Sequence, residues 1–105
     1  DVISAKMFEE CGFKAIGTTS AGIAASLGYL DGQSIPLSKM VETIENIAKS
    51  VNVPVSADIE AGYGRTVEEV LETVKAVTAA GAIGINREYG TGDPIRAVFV
   101  ISSQV

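Results

Sequence analysis

Two hydrophobic periods alternate from one end of the chain to the other, and that alternation restricts the fold more than any single motif. Twice a stretch of helical period stops at a glycine and feeds straight into a short apolar run: Cys11-Gly12-Phe13-Lys14-Ala15-Ile16-Gly17 and Ala80-Gly81-Ala82-Ile83-Gly84. Glycine suits the left-handed residue that closes a helix. A short, continuously apolar run suits a strand covered on both faces, as parallel sheets require. The expectation is an α/β chain of repeated βα units, in a doubly wound sheet or a (β/α)8 barrel, with ligands beyond the carboxyl ends of the strands.

The segments follow in order. Ser4 to Cys11 places Ala5, Met7, Phe8 and Cys11 at helical spacing. Ala15 to Thr18 reads as a short buried strand, and the small residues of Thr19 to Leu27 suit a loop and short helix. Leu37 to Val51 repeats apolar residues at Val41, Ile44, Ala48 and Val51, an amphipathic helix. Val53 to Asp58 is a strand with Pro54 near its start, where a missing N–H does least harm. Thr66-Val67-Glu68-Glu69 is a capping box opening a helix through Val77. Ala82 to Asn86 is a further strand.

That makes three strands and the tail of one before Asp1, whereas a closed barrel takes eight strands and about 250 residues. With 105 residues, the expectation is a single partial (β/α)8 barrel of about four βα units over residues 1–105, diverging from 87 onward.

Composition narrows the chemistry. Thirteen acidic against eight basic residues, net charge −5 and no Lys/Arg cluster argue against nucleic acid or an anionic membrane as partner. No apolar run approaches a membrane span, and no leader is visible, so a soluble protein is expected. The lone Cys11 fits a reducing cytoplasm. With no histidine in the chain, imidazole zinc sites and histidine-based triads are excluded, and acid–base work falls to carboxylates, Tyr, Lys or water.

Strand residues two apart share a face. Ser56, Asp58 and Glu60 therefore line up on one side, with both carboxylates at the strand's carboxyl end, and Gly84, Asn86 and Glu88 do the same on the next strand. Three converging carboxylates repel unless a cation lies among them, and an all-oxygen set suits Mg²⁺ or Mn²⁺. Asp-x-Glu pairs are also common on solvated surfaces, but this one stands at a strand-to-loop junction before Ala61-Gly62-Tyr63-Gly64. Gly62 and Gly64 serve equally well as plain loop glycines.

The same residues carry a resemblance. Asp58-Ile59-Glu60-Ala61-Gly62-Tyr63-Gly64 after Val53-Pro54-Val55 resembles the metal-site strand of the isocitrate lyase/phosphoenolpyruvate mutase superfamily. Ser4-Ala5 with Phe8 to Phe13, Thr18 to Ala24, and Leu27 to Gly32 agree in order, over roughly residues 1 to 86. The resemblance implies a (β/α)8 barrel whose Mg²⁺ holds the 2-oxo-carboxylate or enolate end of a small acid while a C–C or P–C bond breaks or forms. It makes Asp58, Glu60 and Glu88 the metal shell. Ser20, Gly22 and Ile23 become the cradle for a substrate carboxylate, with Gly62, Tyr63 and Gly64 beside it, and Asp31 joins Asp58 as an active-site carboxylate. Tight helix packing at Ser20 to Ala24 and a turn at Asp31-Gly32 are the plainer readings of those segments.

Three departures stand out. The Lys-Lys-Cys-Gly-His loop of the family's C–C lyases has no counterpart here. Asn86-Arg87-Glu88-Tyr89 replaces Asn-apolar-Glu-Asp, which sets Arg87 on the helix-facing side, and Ile95 to Val105 matches no family segment. The functional expectation is a Mg²⁺-dependent lyase or phosphonomutase-like enzyme for small 2-oxo or 2-hydroxy acids, forming a homo-oligomer in the cytoplasm. These residues alone are expected to be inactive. The alternative is a non-catalytic half-barrel that serves as a self-association module.

Overall fold

The computed structural model describes residues 1–30, 35–60, 62–88 and 97–101, with backbone alone at Glu88 and 97–101. Four helices and four strands follow in the order α1 (Val2–Glu10), β1 (Ile16–Gly17), α2 (Ser20–Ser26), α3 (Leu37–Ser50), β2 (Val55–Asp58), α4 (Val67–Ala79), β3 (Gly84–Glu88) and β4 (Ala97–Ile101). They form one sheet of order β1-β2-β3-β4. β1, β2 and β3 run parallel, as the repeated βα pattern requires, while β4 pairs antiparallel with β3.

Helix ends follow local chemistry. α1 starts two residues earlier than its apolar spacing suggests, because the Asp1 side chain accepts a 2.9 Å hydrogen bond from Ser4 N–H. It closes at Gly12, φ 93°, with Gly12 N–H on Glu9 O (2.9 Å) and Phe13 N–H on Phe8 O (3.2 Å). The Phe8 and Phe13 rings then meet edge to face with centroids 5.4 Å apart, the apolar contact that accompanies this type of cap. α4 ends the same way at Gly81, φ 112°, with Ala82 N–H on Val77 O. α2 repeats the device at Gly28, where Tyr29 N–H reaches Ala24 O. The capping box at Thr66 and Glu69 forms as the sequence predicts.

Along β2, Val55 and Ala57 are buried and Ser56 and Asp58 only partly so. The buried set faces the helices, where Met40 and Ile44 of α3 and Val77 of α4 close on Ala57, Ile59 and Ile85. A second cluster joins Ala5, Ile16, Ile47 and Val55 beneath α1. Of the apolar residues expected to seat α1, Ala5 is buried, but Met7 (61% exposed), Phe8 (52%) and Cys11 face outward. Arg87 lies on the helix side, as its strand parity requires, and its Nε stands 3.1 Å from where a Cβ on Gly62 would project.

Candidate functional site

The β1–α2 connection and the end of β2 are tied together by hydrogen bonds that cross about forty residues of sequence. Thr18 N–H donates to Ser56 O (2.9 Å), and the Thr18 hydroxyl accepts from Asp58 N–H (3.0 Å). In return the Asp58 carboxylate accepts from Ser20 N–H through Oδ2 (3.1 Å) and from Glu60 N–H through Oδ1 (3.0 Å). Asp58 thus sits at the carboxyl end of β2 with one backbone N–H on each oxygen. Each oxygen keeps further lone-pair capacity for the mouth.

The segment read as an anion cradle opens α2. Thr19 is its N-cap and accepts Gly22 N–H on Oγ1 (3.2 Å). Ile23 N–H closes the first turn on Thr19 O (2.9 Å), and the Ile23 side chain is core. Ser20 N–H is held by Asp58, Gly22 N–H by Thr19 Oγ1 and Ile23 N–H by Thr19 O, so these backbone donors of the segment are engaged within the protein.

Beyond β2 the chain reverses sharply. Gly62 N–H donates to Ile59 O (2.9 Å), and Glu60 (φ 54°), Gly62 (102°) and Tyr63 (57°) all take left-handed values. For Glu60 and Tyr63 that conformation is strained, a feature that clusters at ligand-binding sites. The glycines let the reversal lie on α4. A Cβ at Gly62 would stand 2.9 Å from Val70 Cγ1, and one at Gly64 would stand 2.4 Å from Glu69 Cβ.

The Tyr63 hydroxyl is buried and no group among the described residues meets hydrogen-bond geometry with it. Burial, then the nearby Glu60 carboxylate, then Asp58 hold its pKa well above the usual tyrosine value. Glu60 perturbs it by proximity rather than through a well-formed bond. On the neighbouring strand Asn86 pairs in register with Asp58 and shares its face, and its Oδ1 is buried without a partner among the described residues. Asn86 was placed on this face by strand parity and Thr18 in a family-like segment, but neither was assigned a site role from sequence.

Glu88 ends β3 on that same face by backbone parity. Its side chain, and Asp31 altogether, lie outside the described residues. Among the described residues no three acidic, histidine or cysteine side chains are grouped to hold a metal. The donors that are described nevertheless suit a hard divalent cation. Asp58 and Glu60 supply carboxylates, and the unpartnered Asn86 oxygen stands beside Asp58.

Comparison with known proteins gives the family. The family profile for phosphoenolpyruvate phosphomutase matches residues 1–105. The 2,3-dimethylmalate lyase of Eubacterium barkeri is 35% identical over 89 residues, covering 84% of this chain and 30% of its own. Phosphonopyruvate hydrolase of a Variovorax species (strain Pal2) is 34% identical over 87 residues, 83% of this chain and 30% of its own. A crystal structure of phosphonopyruvate hydrolase in complex with oxalate and Mg²⁺ superposes with a TM-score of 0.78 at 29% identity, covering 93% of this chain and 35% of that one. The chain spans about a third of the length of these relatives, and its fold is part of their (β/α)8 barrel. No described helix is long and apolar enough to cross a membrane. Matched by the family profile throughout and by relatives of lyase and hydrolase activity, the chain belongs to the phosphoenolpyruvate mutase/isocitrate lyase superfamily of enzymes.

Proposed function

We propose that these residues form the metal- and carboxylate-binding part of a Mg²⁺- or Mn²⁺-dependent enzyme, cytoplasmic and homo-oligomeric, that breaks or forms a C–C or P–C bond in a small 2-oxo or 2-hydroxy acid. The observation that carries the reading is the Asp58 carboxylate, held at a strand end by Ser20 and Glu60 N–H groups beside the unpartnered Asn86 oxygen. Asp58, Glu60 and Glu88 would hold the cation, which when bound supplies Lewis-acid stabilisation of enolate charge.

The protein's own groups do the rest. The Ser20 hydroxyl donates to the substrate carboxylate, beside the backbone of Gly22 and Ile23. The strained Gly62-Tyr63-Gly64 reversal walls the site and keeps water from it, and the Tyr63 hydroxyl, held protonated by its surroundings, stays a donor. Asp31 would supply a further active-site carboxylate.

Oxalate, a mimic of the pyruvate enolate, tests the shared site in the full-length protein. Calorimetric titration is expected to show oxalate binding with Mg²⁺ present and none without it. Equal binding in both conditions would overturn the proposal.

A further inference from the structure

The Asn86 oxygen is a buried acceptor without a donor among the described residues. Such atoms are uncommon because water is lost and nothing replaces it. Its neighbours make the situation sharper. Register pairs Asn86 with Asp58 on one face of two strands about 4.8 Å apart, and a carboxylate only accepts. The other buried side-chain atom without a partner, the Tyr63 hydroxyl, does not bond it. Asn86 thus carries an unsatisfied acceptor on the face and at the register of the Asp58 carboxylate, which is unfavourable unless a donor-rich species enters.

We infer that Asn86 is part of the cation site proposed above, its side-chain oxygen accepting a hydrogen bond from a water in the cation's hydration shell. Mg²⁺ keeps several waters when bound, and such a water, polarised by the metal, donates strongly. Asn86 thus acts as a positioning residue. It orients the cation's water against Asp58, and outer contacts of this type set metal affinity over roughly 10- to 100-fold. The inference rests on the reading of Asp58 and Glu60 as metal ligands but concerns a residue on a different strand.

The test is Mn²⁺ binding by the full-length protein, followed by calorimetry and by the electron paramagnetic resonance of free Mn²⁺, with no substrate and no turnover. Asn86→Leu keeps the side chain's size and removes the acceptor, and is expected to weaken Mn²⁺ at least tenfold. Without metal it is expected to melt no lower than the parent, since the unsatisfied oxygen is gone. Asn86→Asp keeps an acceptor and removes the amide donor, and is expected to bind Mn²⁺ as tightly as the parent or more so. Parent-like affinity in Asn86→Leu overturns the inference while leaving the metal reading intact, and so does Asn86→Asp binding as weakly as Asn86→Leu, which would make the amide N–H the working group. A parent protein that does not take up Mn²⁺ removes both. Should Asn86→Leu lose its native circular dichroism, Asn86→Ala carries the same comparison.

Discussion

Asp58 has two jobs that a single substitution removes together. Its carboxylate accepts from Ser20 N–H and Glu60 N–H, so Asp58→Ala leaves two donors without partners, at a cost of about 1–3 kcal/mol. Thermal unfolding is expected to show that loss alongside abolished Mg²⁺ binding, and Asp58→Asn, which keeps one of the two acceptors, is expected to recover part of the stability but not the metal. Unchanged Mg²⁺ affinity in Asp58→Ala would remove Asp58 from the metal shell. Tyr63 makes a prediction about alkali. Its pKa is raised above the ordinary 10.0, so the unfolded chain ionises there first, and stability that is complete below pH 10 falls as pH rises past it. Tyr63→Phe is expected to flatten that fall, read from denaturant midpoints across the alkaline range. Asp58 and Glu60 were legible because strand parity is a local rule. The place of Asn86 on that face was legible by the same rule, but its unsatisfied oxygen and the bond of Thr18 to a residue 40 positions away were not, since both exist only after the strands pair.

The helix ends make the clearest predictions at the level of elements. Gly12 and Gly81 are both left-handed, but a Cβ at Gly12 meets nothing within 4 Å whereas one at Gly81 would stand 2.9 Å from Ala48 Cβ. Gly12→Ala is therefore expected to cost about 1–2 kcal/mol from backbone conformation alone, and Gly81→Ala distinctly more, as α4 is forced off α3. Chemical denaturation of the pair checks the order. Thr66→Ala is expected to cost about 1 kcal/mol through the lost capping box. These ends were legible in sequence because caps are written in neighbouring residues. Gly28 was passed over because the small residues of α2 carry little periodic signal. The antiparallel β4 was missed because strand direction depends on where the chain returns, which no period of two or 3.6 encodes. α1 was assigned its contacts too generously, since spacing at Met7 and Phe8 says that a face is apolar and not what covers it.

Across the molecule, the apolar residues left outside describe what is not satisfied within these residues. Ile3 (72% exposed), Met7, Phe8 and Phe13 stand exposed on α1 and just after it, and β1 stands at the sheet edge beside a hollow of about 260 Å³ lined by Ala5, Phe8, Ile16 and Ile23. A strand edge and an apolar patch together drive association. Residues 1–105 expressed alone are expected to sediment as a concentration-dependent dimer or to bind hydrophobic dyes as a loosely packed state. A monodisperse monomer with a single cooperative unfolding transition would contradict the reading as a partial barrel. The two glycine-closed turns at Gly12 and Gly81 feed the amino ends of β1 and β3, while Thr18, Ser20, Asp58 and Glu60 gather at the carboxyl ends. The glycine turns that enter the strands and the residues proposed to meet a ligand therefore lie at opposite ends of the sheet, with Asp58 serving both fold and proposed site. Change at the turns is therefore expected to leave the carboxyl-end residues in place, whereas change at Asp58 is felt by the fold as well, so the neighbours of Asp58 are freer to vary than Asp58 itself.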